Sequence, residues 1–119
     1  MAKKVLICDD AEYMRASMCN ILKNHGYDLY EAEDGYAAVE KYKQHNPDVV
    51  LLDVTMPGID GVMALTEILK YDSEAKVIMC SAMGVHDIVE KSLNAGAIDY
   101  IIKPFQPARI EEAVKKAVS

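Results

Sequence analysis

The chain alternates five times between a short apolar run and an amphipathic segment, and this alternation leaves few possible folds. The apolar runs predict β-strands over residues 4–9, 27–32, 48–53, 76–81 and 97–102. The segments that follow carry apolar residues at helical spacing and predict helices over residues 11–25, 36–45, 62–71, 85–95 and 107–118. Regular alternation of strand and helix is typical of α/β domains built on a parallel sheet.

The composition of the strands indicates how they are covered. All but the second are nearly continuous in apolar residues, as residues 49–52 illustrate. Such strands are buried on both faces, as in a parallel sheet with helices on each side. Crossovers between parallel strands are right-handed, which restricts the topology further. We therefore predict a five-stranded, doubly wound parallel sheet flanked by five helices.

Length and charge limit the number of domains and the kinds of partner. The 119 residues suffice for one hydrophobic core, so we predict a single domain over residues 1–119 with no output domain. Acidic residues number 19 against 13 basic ones, giving a net charge of −6. So acidic a chain lacks the broad basic face that binds a phosphate backbone, and we expect no nucleic acid partner.

The same sequence indicates the compartment. The apolar runs are far shorter than the roughly 20 residues that span a bilayer, so we expect no membrane partner. The cysteines, Cys8, Cys19 and Cys80, show no Cys-x-x-Cys spacing, and the three histidines are scattered, so zinc is not indicated. Free cysteines without a targeting segment predict a reducing cytoplasm.

Polar side chains fall at the carboxyl ends of the predicted strands, where open α/β sheets bind ligands. Asp9 and Asp10 end the first strand, Asp53 the third and Ser81 the fourth, and Lys103 follows the fifth. If the first and third strands are neighbours, three carboxylates converge, and their repulsion either raises their pKa values or requires a cation. Oxygen ligands without histidine or cysteine favour Mg²⁺. Such a site suits a phosphoryl group, and a carboxylate can be its nucleophile.

Four stretches in order carry a resemblance to a known family: Asp9-Asp10, then residues 52–58, 80–82 and 103–105. With them the chain resembles the response-regulator receiver domains, from Lys4 to the final helix. Among single-domain receivers it is most similar to the chemotaxis regulators of non-enteric type. The resemblance implies a flavodoxin-like fold with strand order 2-1-3-4-5.

The resemblance also implies how the acids are used. Asp53 would accept a phosphoryl group from the phosphohistidine of a histidine kinase. Asp10, Asp53 and the backbone carbonyl of Thr55 would bind Mg²⁺ directly, while Asp9 would act mainly through a bound water. Lys103 would pair with a phosphoryl oxygen.

Further residues would form the implied switch. Ser81 would donate a hydrogen bond to the phosphoryl group, and Tyr100 would turn inward as Ser81 moves. The Lys103–Pro104 peptide bond would be cis, as X-Pro bonds allow. The chain departs from the family at Ser81, where threonine is commoner, and at Thr55, where the enteric chemotaxis regulators carry asparagine.

The implied function is a phosphorylation-activated switch in chemotaxis. The surface of the fourth helix, fifth strand and fifth helix would change its affinity for a flagellar motor switch protein, or for an archaellum adaptor. A histidine kinase and a chemotaxis phosphatase are the other implied partners. The protein would be a cytoplasmic monomer that catalyses only its own phosphotransfer and dephosphorylation, so we do not class it as an enzyme.

Other interpretations of the same residues remain open at this point. The chain could be a phosphorelay intermediate that passes the group to another protein histidine, or an interaction domain independent of phosphate. A haloacid-dehalogenase-type phosphohydrolase also uses a strand-end aspartate, but requires Asp-x-Asp where this chain has Asp9-Asp10-Ala11. Asp10 could also serve only as the N-cap of the first helix.

Overall fold

The computed structural model of the protein describes residues 2–56, 58–82 and 86–119. The start of the predicted fourth helix at Val85, and Pro57 in the loop after the third strand, lie outside the described residues.

Strands and helices alternate along the described chain as predicted. The strands are β1 (Lys4–Cys8), β2 (Asp28–Ala32), β3 (Val49–Asp53), β4 (Val77–Ser81) and β5 (Asp99–Ile102). The α-helices are α1 (Glu12–Leu22), α2 (Gly35–His45), α3 (Gly61–Tyr71), α4 (His86–Asn94) and α5 (Pro107–Val118). Within the described ranges, no helix is long and apolar enough to cross a bilayer.

The five strands form one sheet in the order β2-β1-β3-β4-β5, and every neighbouring pair is parallel. This confirms the predicted doubly wound, flavodoxin-like topology. The strand order reverses between β1 and β3, because the chain builds the sheet in one direction from β1 to β2 and in the other from β3 to β5. A crevice therefore opens beyond the carboxyl ends of β1 and β3.

Two apolar layers cover the sheet, because successive side chains of a strand face opposite sides. On one side, Ile7 and Leu51 of the sheet pack with Met18 of α1 and with Ile110 of α5. On the other side, Leu6, Cys8, Val50, Leu52 and Met79 of the sheet pack with Tyr42 of α2, Ala64 and Ile68 of α3, and Ile88 of α4. The central strands are thus buried on both faces, as their composition predicts.

Side-chain caps fix the starts of two helices. Asp34 accepts a hydrogen bond from the Ala37 amide at the start of α2, and Asp60 accepts one from the Met63 amide at the start of α3. The N-cap of α1 is Ala11, which makes no side-chain cap. The interpretation of Asp10 as the N-cap of the first helix is therefore wrong, and its carboxylate does not cap the helix.

Most boundaries agree with the prediction to within one residue, and two differ by more than that for local reasons. The segment predicted as one helix over residues 11–25 is α1 followed by a 3₁₀ turn over Lys23–His25, which ends at Gly26 with a φ of 77°. The last strand begins at Asp99, because the Ala97 amide instead donates to the carbonyl of Ser92 and closes the end of α4.

Candidate phosphoacceptor and metal site

The register of the sheet brings the acids of β1 and β3 to the same level. Cys8 is paired with Leu52, so the next residues along the two neighbouring strands are Asp9 and Asp53. Both continue the set of side chains that faces α1 and α5. The parallel arrangement thus places two carboxylates side by side at the crevice between β1 and β3.

Asp9 is almost completely buried, with 1% of its surface exposed. Its Oδ1 accepts a hydrogen bond from the Ala11 amide at 2.9 Å, and its Oδ2 lies 2.6 Å from the Lys103 ammonium. The backbone amide of Asp9 donates to the carbonyl of Ala32 on β2 at 3.1 Å. Both carboxylate oxygens are therefore paired within the protein.

Asp53 ends β3 and keeps 7% of its surface exposed. Its Oδ1 accepts a hydrogen bond from the Thr55 amide at 3.2 Å, and its Oδ2 lies 3.5 Å from Lys103 Nζ. Burial raises the pKa of the Asp53 carboxyl, and the charge of Asp9 adds to the rise; Lys103 and the Thr55 amide only partly offset it. The ionised carboxylate is thus held where further positive charge would stabilise it.

Asp10 completes an acidic cluster. One carboxylate oxygen from each of Asp9, Asp10 and Asp53 lies within 4.8 Å of the other two. Two of these acids are buried and Asp10 is exposed, so the cluster is open to solvent on one side. Because Mg²⁺ prefers oxygen ligands and retains several waters, a half-open group of three carboxylates fits it.

Lys103 supplies a fixed positive charge opposite the acids, with 14% of its side chain exposed. Burial alone would lower the pKa of its ammonium, but the hydrogen bond to Asp9 and the charges of Asp53 and Asp9 raise it overall. Its backbone amide donates to the carbonyl of Ser81 at 2.6 Å, so the lysine is held by its backbone as well as by its side-chain partners. The peptide bond from Lys103 to Pro104 is cis, as predicted.

The two predicted switch residues lie on neighbouring strands and on the same side of the sheet, because Ser81 is two residues beyond Met79 and Tyr100 pairs with Met79. Ser81 ends β4 one residue beyond the partner of Asp53, and is 8% exposed. Tyr100 pairs with Met79 and packs in the layer that faces α2, α3 and α4. Its hydroxyl is buried and has no hydrogen-bond partner in the part of the chain that the structure describes. An unpaired buried hydroxyl is unfavourable, so a rearrangement that satisfied it would be stabilised.

Arg15 contacts the site but is not among the residues predicted from the sequence. The Arg15 guanidinium donates from Nη1 to the carbonyl of Asp9 at 2.7 Å, and from Nε to Glu31 Oε1 at 3.1 Å. Its contact is with a backbone oxygen, and no side-chain pattern marks such a contact in a sequence. The only available signal was its position, one helical turn after Ala11 on the helix that follows the acids.

Comparison with known proteins agrees with this geometry. The model of the response regulator receiver domain family matches residues 5–115. The chain is 49% identical over 120 residues to the chemotaxis protein CheY of Bacillus subtilis, with 100% of each chain covered. It is 50% identical over 117 residues to the chemotaxis protein CheY of Thermotoga maritima, with 98% of each covered.

A solved structure shares the fold closely. A chain of the CheX–CheY–BeF₃–Mg²⁺ complex from Borrelia burgdorferi superposes with a TM-score of 0.93 at 38% identity. The match covers 98% of this chain and 90% of that one. The likeness thus extends from the strand order to the whole arrangement of helices around the sheet.

Proposed function

The chain belongs to the response regulator receiver domain family, and on this basis we propose that it is a chemotaxis response regulator switched by phosphorylation of Asp53. The observation that carries the proposal is the placement of Asp53: it is nearly buried, within 4.8 Å of two other acids and 3.5 Å from an ammonium. A carboxylate held in this way is poised to receive a group that is negatively charged and bound to a cation.

In the proposed reaction, a carboxylate oxygen of Asp53 attacks the phosphorus of a kinase phosphohistidine. An oxygen–phosphorus bond forms while the nitrogen–phosphorus bond breaks, and the electron pair stays on the imidazole nitrogen, which is protonated. Asp53 reacts in its ionised form, so no proton has to leave it. Attack by water on the acyl phosphate would later return Asp53 and inorganic phosphate.

The other site residues would stabilise the charge of the transferred group. Asp10, Asp53 and the Thr55 carbonyl would hold Mg²⁺, with Asp9 acting through a water. When bound, the ion would neutralise charge on the carboxylates and the phosphoryl oxygens. Lys103, already beside Asp53, would pair with a phosphoryl oxygen.

Phosphorylation would then act as a switch. The acyl phosphate has more acceptor oxygens and more negative charge than the carboxylate, so Ser81 and Lys103 would be drawn towards it. Movement of Ser81 would let Tyr100 change its packing and pair its hydroxyl. The face formed by α4, β5 and α5 would thereby change its affinity for a partner, in proportion to how differently that partner binds the two states.

We infer the partners that the resemblance to chemotaxis regulators implies. The phosphodonor would be a CheA-like histidine kinase, and the target a flagellar motor switch protein or an archaellum adaptor. The Borrelia structure contains CheX together with CheY, which supports a phosphatase of that kind as a further partner. A role as a phosphorelay intermediate is not favoured, because the relatives compared are named as chemotaxis proteins.

Intact-protein mass spectrometry after incubation with acetyl phosphate and Mg²⁺ tests the acceptor. We expect one added phosphoryl group on the wild type, none on Asp53→Asn and a normal yield on the control Asp28→Asn, whose carboxylate is exposed at the start of β2. Equal labelling of Asp53→Asn, or no labelling of the wild type, would contradict the proposal.

A further inference from the structure

We propose that Arg15 is a positioning residue that sets the Mg²⁺ affinity of the acidic cluster by fixing the peptide link between Asp9 and Asp10. The inference rests on the proposed function, because it assumes that the cluster binds Mg²⁺. It extends that function to Arg15, which does not contact the carboxylate groups of Asp9, Asp10 or Asp53.

The contact geometry singles out this peptide link. Arg15 Nη1 donates to the carbonyl oxygen of Asp9 at 2.7 Å, the distance of a strong charge-assisted hydrogen bond. The arginine side chain is only 14% exposed, so water competes weakly for the bond. The Asp9 carbonyl and the Asp10 amide belong to one planar unit, so holding the first fixes the direction in which Asp10 leaves β1.

Asp10 depends on this restraint more than its neighbours do. Asp9 is held by its amide, which donates to Ala32, and by its carboxylate, which is bound at both oxygens. The Asp10 carboxylate is exposed and accepts no hydrogen bond from the described residues. The orientation of the one exposed ligand of the cluster therefore follows mainly from the backbone that Arg15 holds.

Arg15 is itself oriented by the neighbouring strand. Glu31 of β2 accepts a hydrogen bond from Arg15 Nε at 3.1 Å, while Nη1 of the same guanidinium holds Asp9. An arginine fork can bind two acceptors at once, whereas a lysine ammonium of shorter reach would satisfy one of them. The pair thus connects the end of β2 to the end of β1.

Simple electrostatics predicts the opposite effect of removing Arg15, which makes the inference easy to test. Deleting a positive charge near three carboxylates should make the cluster more attractive to a dication and tighten binding. Loss of a positioning contact should instead weaken binding, and outer-shell partners of metal sites typically contribute about 10–100-fold in affinity. The sign of the change therefore separates the two effects.

The experiment is an Mg²⁺ titration of the full chain by calorimetry and by ¹H–¹⁵N NMR, with wild type, Arg15→Ala, Arg15→Lys and the control Lys41→Ala. The Lys41 ammonium donates a hydrogen bond to the backbone carbonyl of Glu31. Lys41 does not contact Asp9. We expect about tenfold weaker Mg²⁺ binding for Arg15→Ala, about threefold weaker for Arg15→Lys, and unchanged or slightly tighter binding for Lys41→Ala. The Asp10 amide should also become more mobile in both Arg15 variants.

Unchanged or tighter binding by Arg15→Ala would overturn the inference. If that variant fails to fold, Arg15→Lys decides, because it keeps the charge and loses only the fork: affinity equal to wild type would overturn the inference. If the wild type bound no Mg²⁺, this inference and the proposed function would both fail. Equal binding by the wild type and the Arg15 variants would leave the proposed function intact.

Discussion

At the scale of single residues, the site concentrates negative charge in a place that water reaches poorly. Asp9 and Asp53 are nearly buried and share one lysine, so their charges are incompletely balanced. Burying charge without full compensation destabilises the fold. The protein therefore keeps an unfavourable concentration of negative charge that a bound cation would relieve.

Replacing Asp53 with asparagine should stabilise the metal-free protein at neutral pH. Because its pKa is raised in the fold, the ionised carboxylate destabilises the protein above that pKa, and the penalty disappears below the unfolded value of about 3.9. We expect the melting temperature of Asp53→Asn to rise by about 3–6 °C at pH 7, the shift that roughly 1 kcal/mol produces in such a domain.

Circular dichroism melts in EDTA at pH 7 and at pH 3 measure this effect. The gain should vanish at the acid pH, and Asp28→Asn, at an exposed position, should show no comparable gain at either pH. A lower melting temperature for Asp53→Asn at pH 7 would contradict the assignment of charge strain to this residue.

Replacing Lys103 with methionine should have opposite effects on stability and on Mg²⁺ binding. The variant removes the only ammonium that the described residues place against Asp9 and Asp53, so we expect metal-free stability to fall by about 3 kcal/mol. The same change should tighten Mg²⁺ binding about tenfold, because the ion no longer competes with a bound ammonium.

Urea unfolding with and without Mg²⁺, together with calorimetric titration, tests both effects. Lys70→Met is a suitable control, since Lys70 is exposed and pairs with Glu67 on the same helix. Weaker Mg²⁺ binding by Lys103→Met would show that the lysine assists the ion instead of competing with it.

The sequence predicted the charged groups of the site but not how they are held. Asp9, Asp53 and Lys103 could be placed because strand ends of a parallel sheet meet at one edge. The role of the Asp9 carbonyl and its contact with Arg15 could not, because backbone hydrogen bonding by a side chain leaves no residue pattern. The unpaired Tyr100 hydroxyl likewise depends on packing that emerges only in three dimensions.

At the scale of secondary-structure elements, the apolar runs predicted the central strands well, because burial on both faces leaves little freedom in composition. The ends of elements were less predictable, since they depend on competing local hydrogen bonds. The amide of Ala97 closes α4 instead of extending β5, and the last residues of the predicted first helix form a 3₁₀ turn. Both differences lie away from the acidic cluster.

The junction of β3 and α3 should be intolerant of a single added methyl group. A Cβ at Gly61 would overlap the carbonyl oxygen of Asp53 and lie 2.7 Å from the Cα of Val54. Both contacts are with backbone, which cannot move aside without shifting Asp53. We expect Gly61→Ala to lower stability by about 2–3 kcal/mol and to reduce phosphorylation of Asp53.

Urea unfolding of Gly61→Ala, compared with that of the control Gly26→Asn, separates the effect of steric crowding from the effect of losing a glycine. Gly26 has a φ of 77°, a Cβ added there would meet nothing within 4 Å, and asparagine tolerates that conformation. The control should lose less than about 1 kcal/mol. Comparable losses in the two variants would contradict a specific close contact at Gly61.

The ion pair between Asp99 of β5 and Arg109 of α5 should contribute to stability in a way that is lost in acid. Arg109 donates to both carboxylate oxygens of Asp99 and to the carbonyl of Tyr100. Burial alone would raise the pKa of the Asp99 carboxyl, but the bonds from Arg109 and from the Tyr100 amide lower it overall. The contribution is therefore present above about pH 4 and is lost as the pH falls through the lowered value.

We expect Arg109→Ala to lose about 0.5–1 kcal/mol at pH 7 and much less at pH 2, a small loss because both side chains are more than one third exposed to solvent. Urea unfolding at the two pH values measures this, with Lys70→Ala as a surface control. A loss that is equal at both pH values would show that Arg109 acts through packing and not through the Asp99 carboxylate.

At the scale of the whole molecule, one sheet connects the acids to the face formed by α4, β5 and α5. Asp53 on β3 is paired with Cys80 on β4, Ser81 follows Cys80 on β4, and Tyr100 on β5 pairs with Met79 on β4. A change at Asp53 can therefore reach the α4–β5–α5 face within two strands. Coupling over so short a path needs only a local rearrangement, which suits a domain whose core is otherwise closely packed.

The central claim is that Asp9, Asp10 and Asp53 share a dication so that Asp53 can carry a phosphoryl group opposite Lys103. Beryllofluoride, a stable mimic of that group, tests it most directly in an NMR titration with and without Mg²⁺. We predict Mg²⁺-dependent shifts at Asp53, Ser81 and Tyr100 that extend over α4, β5 and α5. Shifts that need no Mg²⁺, or a spectrum unchanged at millimolar Mg²⁺, would contradict the account.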